Sequence, residues 1–460
     1  MLAKEVTDYL DANRDRHLDE LFEWLAIPGI ANNDDDNCDR AARWIADRLE
    51  RIGFTARLAS AGGKPNVIAE MHVDDAAPTV LMYGHYDIQP PDPLDLWDSP
   101  PFKPELRDGW IYARGADDDK GQFYANVMAL DALHASAGGL SVNVKIFVEG
   151  EEEIGSPTLE QFISEHSDEL ACDVAVVSDS SFYAEGVPSI TYSLRGLAYL
   201  EVTLTGPNRD LHSGLYGGAV ANPINALARM VARMHDDSGR IAMPGIYDDV
   251  LDPDARELAE WAKLGFDEST WAAEIGMDNL AGGERKLPAL HRLWARPTLD
   301  CNGIVGGFTE PGSKTVIPSN ASAKISLRLV PNMDPDKVVE AFKRFVTENT
   351  PDGLACDVQV KAKARPVMVA TDSPEMNAAR AAFEEGFGKA PVMIRCGASV
   401  PVTELIQRIL AVDAVLMGYG LPEDCLHSPN EKFKLDQLYR GSATAAAFLH
   451  RLGQASTAAK

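Results

Sequence analysis

Four short apolar runs, Thr79–Tyr83, Val142–Val148, Val174–Val177 and Ala411–Met417, are separated from one another by long connections, the first two of which carry a helical period. Each run has the length of a strand and is mainly apolar, as strands covered on both faces are. With a fifth run at Val67–His72 and helix-period stretches at 41–52, 121–135 and 158–169, the pattern predicts an α/β fold, a largely parallel or mixed sheet covered by helices. In such open sheets ligands gather outside the carboxyl ends of the strands. Residues just past the end of each run are therefore the informative ones.

His85 and Asp87 come after the first run, and EGEEEIGS, with Glu151, Glu152 and Glu153, after the second. SDSS with Asp179 comes after the third, and HSPNEKF with His427 after the fourth. A further acidic cluster, Asp117, Asp118 and Asp119 of RGADDDKG, stands in a Gly-flanked loop ahead of a helix, within reach of the same rim. Taken singly each motif is commonplace: a His-x-Asp pair is usually structural and a Glu triplet is usually a solvated face. Repetition at successive strand ends is what argues for chemistry. Two histidines and several carboxylates without cysteine suit zinc, cobalt or manganese, and so many carboxylates stay ionised together only beside cations. Two divalent ions, about 3.5–4 Å apart and bridged by one carboxylate, satisfy that requirement. His85 then reads as a ligand, and Asp87 as the acceptor of its other ring N–H. No GxSxG elbow, Walker loop or HExxH motif offers rival machinery.

The sequence changes texture after about residue 194. Ala198, Leu200, Val202 and Leu204 alternate with polar residues, as do Ala321, Ala323, Ile325, Leu327 and Leu329, and later Cys356, Val358 and Val360. Asn222-Pro223 and Asp334-Pro335 open helices between them. This predicts a two-layer α+β domain, 194–365, interrupted by a long insertion at about 236–315. The chain ends, 1–193 and 366–460, form the catalytic domain around it. Leu18, Leu21, Phe22 and Leu25 mark an amphipathic helix that stops before Pro28.

At 460 residues the chain has room for two or three lobes. Its net charge of -27 opposes nucleic acid and anionic membranes as partners. No run of apolar residues is long enough to span a bilayer, and the N-terminus lacks the apolar core of a signal peptide. Six scattered cysteines without CxxC spacing fit reduced thiols, and the expected location is the cytoplasm.

Through GHYDIQPPDPLDLWDSPPF, ARGADDDKGQ, EGEEEIGS, DLHSGLYGG, LRLVPNM and HSPNEKF, the chain resembles the co-catalytic zinc exopeptidases related to carnosinase, cytosolic dipeptidase, aminoacylase and carboxypeptidase G. Within that family it is most similar to the carnosinase and cytosolic dipeptidase branch. The resemblance implies that His85 and Asp179 bind one metal, Glu153 and His427 the other, and Asp118, two residues before Lys120, bridges them. It also implies a cis bond between Asp118 and Asp119. Glu152 matches the general base, with the register of the Glu triplet set by Gly155-Ser156. His212 of DLHSG matches the residue that stabilises the oxyanion, and Arg328 the arginine that holds the substrate carboxylate, a task suited to its forked donors. Gly397 and Ser399 match a substrate loop whose usual Gly-Gly-Ser is altered by Ala398.

The implied function is hydrolysis of dipeptides or similar short carboxylate-ended amides by a metal-bridged hydroxide, with two zinc ions, or cobalt or manganese, per chain. A homodimer is implied, with the inserted domain serving as lid and dimerisation element. The alternatives are an N-acyl amino acid deacylase or carbamoyl amidohydrolase, and, in another class, an inactive metal-binding relative.

Overall fold

In a computed structural model that describes residues 2–136, 138–397 and 400–458, the apolar runs lie side by side in one mixed sheet. Seven of its nine strands run in the order Thr55–Ala59, Asn66–Met71, Asn143–Glu149, Thr79–His85, Val174–Val177, Ala414–Leu416, Ser189–Leu194. Asn143–Glu149, Thr79–His85, Val174–Val177 and Ala414–Leu416 are successive parallel neighbours, and the strands outside them pair antiparallel. The fold class is thus the expected α/β arrangement, and the parallel centre is what sends several strand ends to one edge.

Helices cover both faces of this sheet. Tyr83 packs on Phe147 with ring centroids 5.8 Å apart, and Phe147 stacks at 5.3 Å on Phe162 of the Leu159–Glu165 helix. Gly84, next in the strand, points the other way, where a Cβ would lie 2.4 Å from the Phe123 ring of the Lys120–Ala135 helix. That helix is buried nearly all round, as its continuous apolar sequence requires, and the Leu435–Ala458 helix packs along it. Its first residue, Lys120, is fully buried and donates to the carbonyls of Trp24 (3.1 Å) and Ile27 (2.8 Å) at the end of the Arg14–Leu25 helix. Burial pushes this ammonium down to about 7.

Contacts divide the chain into two compact units, residues 1–192, 369–394 and 401–460, and residues 193–368 and 395–400. The second unit is a four-stranded antiparallel sheet in the order Thr298–Gly306, Asn320–Leu329, Gly196–Thr205, Ala355–Ala364. Alternate residues from Ala198 to Leu204 and from Ala321 to Leu329 join Leu227, Met230, Phe342 and Val346 of the Pro223–Ala232 and Pro335–Asn349 helices in its core. Asn222 and Asp334 cap those helices, accepting from Ile224 N–H (2.9 Å) and Asp336 N–H (2.8 Å).

Two readings are corrected. The stretch at 236–315 is not wholly an interruption, because Thr298–Gly306 supplies an edge strand, with a register shift between Cys301 and Gly303. The last parallel strand begins at Ala414 rather than Ala411, since Ala411 turns the chain at φ 57°.

Gly84 gives a direct test of the packing. Gly84→Ala is expected to destabilise the protein by about 1–3 kcal/mol through overpacking. Gly303→Ala, where nothing lies within 4 Å of the new Cβ, is expected to be near neutral. Urea unfolding of both variants measures the difference.

Candidate metal centre

Because the Thr79–His85, Asn143–Glu149 and Val174–Val177 strands run parallel, His85, the Glu151–Glu153 turn and Asp179 emerge on one rim. The loop before the Lys120–Ala135 helix and the loop after the Ala414–Leu416 strand bring Asp118 and His427 to the same place. His85 Nε2 donates to Asp118 Oδ1 at 3.0 Å, and His427 Nε2 donates to Asp118 Oδ2 at 2.9 Å. His427 Nε2 also lies 3.2 Å from Glu153 Oε2. Ligand atoms of His85, Asp118 and Asp179 form one trio within 4.8 Å of one another, and those of Asp118, Glu153 and His427 form a second. Five of the residues singled out in the sequence therefore meet, and Asp118 belongs to both trios.

The acidic triplets are sorted by their surroundings. Glu151 turns aside, its carboxylate accepting from Lys64 N–H at 3.2 Å and from the Thr158 hydroxyl. Asp117 faces Asp424, and burial with that neighbour pushes its carboxyl well up. Asp119 accepts from His85 N–H at 3.1 Å, and the Asp118–Asp119 peptide is cis. Glu152 is left beside His85, Asp179 and Asp118, and its carboxyl is raised well above the usual range, chiefly by burial, with His85 opposing and Asp179 and Asp118 adding to the rise.

Asp87 differs in detail from the expectation. The closer acceptor of the His85 Nδ1–H is the Asp87 carbonyl oxygen at 3.0 Å; its carboxylate lies 3.4 Å away. That carboxylate accepts instead from Glu152 N–H (3.2 Å) and Glu153 N–H (3.0 Å), so Asp87 ties the His85 strand end to the glutamate turn. Gln89 is a neighbour of the site that the sequence motifs do not single out. Its side chain donates to Glu153 Oε2 at 2.8 Å, and its place two residues after Asp87 is the signal that could have found it.

The electrostatics fit cations. Two like charges about 4 Å apart cost about 4 kcal/mol at an effective dielectric of about 20, and Asp118 faces both Asp179 and Glu153 at such range. The same crowding raises the proton affinity of the groups around Asp118. Burial, then the charge of Asp118, raises Asp179 to about 7. Hydrogen bonds to Asp118 and Glu153 raise His427 to about 10. Burial alone would raise Asp118, but the bonds from His427 and His85 outweigh it and hold this carboxyl well below its ordinary range. Imidazole nitrogens and carboxylate oxygens in two trios about one shared carboxylate match the donor set of zinc, cobalt or manganese.

The second unit holds the remaining candidates. His212, in the short strand Leu211–His212, is exposed, and its Nδ1 accepts from Gly214 N–H at 2.9 Å. In the neutral ring this leaves the proton on Nε2. A Cβ on residue 214 would come 2.8 Å from the His212 ring, so a larger residue there would displace the ring. Arg328 sits on the polar face of its strand, paired in register with Leu197. Arg195, diagonal to it, donates from Nε to the Gly397 carbonyl at 3.2 Å. Burial, then Arg328, pushes the Arg195 guanidinium down to about 10. Ser399 lies outside the described residues.

Residues 81–451 match peptidase family M20/M25/M40. The chain is 32% identical to the human Beta-Ala-His dipeptidase over 98% of its own length and 93% of that protein's. It is 29% identical to a Cys-Gly metallodipeptidase of Saccharomyces cerevisiae, covering 96% of each. Among solved structures, an M20 family metallo-carboxypeptidase of Sulfolobus solfataricus superposes with a TM-score of 0.86 at 33% identity, covering 96% of this chain and 100% of that one.

Ligand histidines bind as neutral rings and ligand carboxylates as anions, so ions must displace the protons held here. His427 is protonated below about 10 and Asp179 below about 7. Uptake of divalent ions is therefore expected to release protons and to weaken steadily as the pH falls from about 8 to about 6. Calorimetric titration in buffers of different ionisation enthalpy reads both effects; pH-independent uptake without proton release would contradict the assignment.

Proposed function

The chain belongs to peptidase family M20/M25/M40, and on that premise we propose that it is a dinuclear-metal dipeptidase acting on short, carboxylate-ended peptides. The observation that carries this reading is the shared carboxylate of Asp118, whose two oxygens face His85 and His427 in separate donor trios. Two divalent ions held by His85 and Asp179, by Glu153 and His427, and by Asp118 between them would lower the proton affinity of water and polarise the scissile carbonyl. Zinc is the assigned metal, with cobalt or manganese as substitutes.

Each of the chain's own side chains has a distinct task. Glu152, buried beside His85, Asp179 and Asp118, takes the proton of the attacking water and returns it to the leaving amine. Asp87, bonded to both glutamate amides, keeps Glu152 and Glu153 in register with His85. His212 offers its Nε2–H to the developing oxyanion. Arg328, with Arg195 beside it, gives a cationic face suited to a terminal carboxylate, and the Gly397 loop borders Arg195.

The dipeptide reading draws on the relatives: the human one is named for Beta-Ala-His and the yeast one for Cys-Gly. An N-acyl amino acid deacylase or carbamoyl amidohydrolase would share the leaving group and the carboxylate. A homodimer formed by the second unit is part of the proposal, supported by exposed Leu215, Ile304, Val305 and Phe308, two of them on the edge strand Thr298–Gly306. The cytoplasm is proposed as the location. All six cysteines are free thiols, and no described helix is long and apolar enough to cross a membrane.

Two measurements test this reading. A panel of dipeptides and N-acyl amino acids, assayed with zinc-, cobalt- or manganese-loaded protein, is expected to give its highest kcat/KM on a dipeptide; preference for N-acyl amino acids would move the protein to the deacylase class. Glu152→Gln is expected to lower kcat by about 10²–10⁴-fold with both metals retained. Full activity in that variant would remove Glu152 as the base.

A further inference from the structure

Glu431 lies in the same loop as His427 and is fully buried. Its Oε2 accepts from Arg114 Nη1 at 2.7 Å and from Gly115 N–H at 2.9 Å. Its Oε1 accepts from Asp117 N–H and Asp118 N–H, both at 3.1 Å. One carboxylate thus collects three amides of a single loop, the last of them belonging to Asp118 itself. The Glu431 carbonyl also accepts from Ala113 N–H at 3.2 Å, so the two loops are joined by backbone as well as side chain. Arg114, equally buried, extends from Glu431 to the carbonyl of Pro90 at 3.4 Å, in the segment just past His85. A single buried ion pair therefore links the three segments that bear His85, Asp118 and His427. None of its groups is among the metal-ligand trios.

From this geometry we infer that Glu431 is a positioning residue for the metal centre: it fixes the backbone of the bridging Asp118 relative to His427, with Arg114 as its counter-charge and its tie to the His85 segment. The inference rests on the dinuclear reading above. A carboxylate that must serve two ions needs its main chain held, because rotation of the Asp118 peptide moves both oxygens together. Partners behind ligands in metal sites commonly govern affinity by about 10–100-fold. Glutamine at 431 keeps the volume but leaves one acceptor oxygen where there were two, and sets an NH₂ group against amide donors.

The test compares zinc binding by chelator competition in the wild type, Glu431→Gln and Asp131→Asn. Asp131 is a mostly buried carboxylate bonded to several cationic groups, accepting from Arg16, His17 and Arg48 at 2.6–2.9 Å. It lies eleven residues along the helix from Lys120, about 16 Å away, and serves as the control for general destabilisation. Glu431→Gln is expected to weaken zinc binding about 10–100-fold and to lower kcat with little change in KM, whereas Asp131→Asn is expected to lose thermal stability but keep wild-type zinc affinity. Should Glu431→Gln not fold, Arg114→Lys, which keeps the charge and loses the forked geometry, is expected to weaken zinc in the same direction by a smaller factor. Wild-type affinity in Glu431→Gln, or in Arg114→Lys where that is the variant measured, overturns the inference, as does an equal loss in Asp131→Asn. A wild-type chain that takes up no pair of zinc ions refutes the metal centre itself, which is a separate outcome.

Discussion

The contact between Asp118 and two imidazoles is the constraint around which the first unit is built. Its two carboxylate oxygens face His85 and His427 at 3.0 and 2.9 Å, side chains separated by most of the chain. Such a meeting needs a strand that ends at His85, a loop that holds Asp118 in front of it, and a second loop returning from the last parallel strand. Each of these has its own structural support. Gly84 lets Phe123 close against the strand, Lys120 anchors the helix start to the carbonyls that end another helix, and His427 is held at φ 59°, a conformation uncommon outside glycine.

Electrostatics explains why the rest of the neighbourhood is so specific. Glu152, Glu153, Asp179 and Asp119 surround Asp118, and without positive charge the cluster would not stay ionised. The protein meets this in two ways. Inside the cluster, burial and Asp118 raise Asp179, and bonds to Asp118 and Glu153 raise His427, the demand for positive charge that divalent ions would meet. Around it, carboxylates that are not needed as ligands are bonded to backbone amides: Asp87 to Glu152 and Glu153, and Glu431 to Gly115, Asp117 and Asp118. The negative charge thereby becomes scaffolding, and the ligand geometry is set by main-chain bonds rather than by side-chain freedom alone.

Much of this was legible in the sequence for physical reasons. Strands buried on both faces leave continuous apolar runs, and alternation marks a sheet with one wet face, so the mixed sheet and the strands Gly196–Thr205, Asn320–Leu329 and Ala355–Ala364 could be read directly. The edge strand Thr298–Gly306 could not: it is exposed over most of its length, contains glycines and is bulged at Cys301/Gly303, so it has no period to detect. Similarly, residues 406–410 continue as a π-helical turn and Ala411 reverses the chain, which shortened an apolar run to the strand Ala414–Leu416. Ligand-type residues announced themselves at strand ends. Glu431 did not, because it acts through amides, contacts that no spacing encodes; Gln89, an amide bonded to a neighbouring carboxylate, was marked only by its place two residues after Asp87. Asp87 was singled out for the His85 ring, yet its carboxylate is spent chiefly on the glutamate turn.

The central claim is that Asp118 lies between two ions, and electron paramagnetic resonance of the manganese-loaded protein tests it most directly. Ions about 3.5–4 Å apart across a shared carboxylate are predicted to give the broadened spectrum of an exchange-coupled pair. The sharp hyperfine pattern of isolated Mn(II), persisting at full loading, would contradict the account.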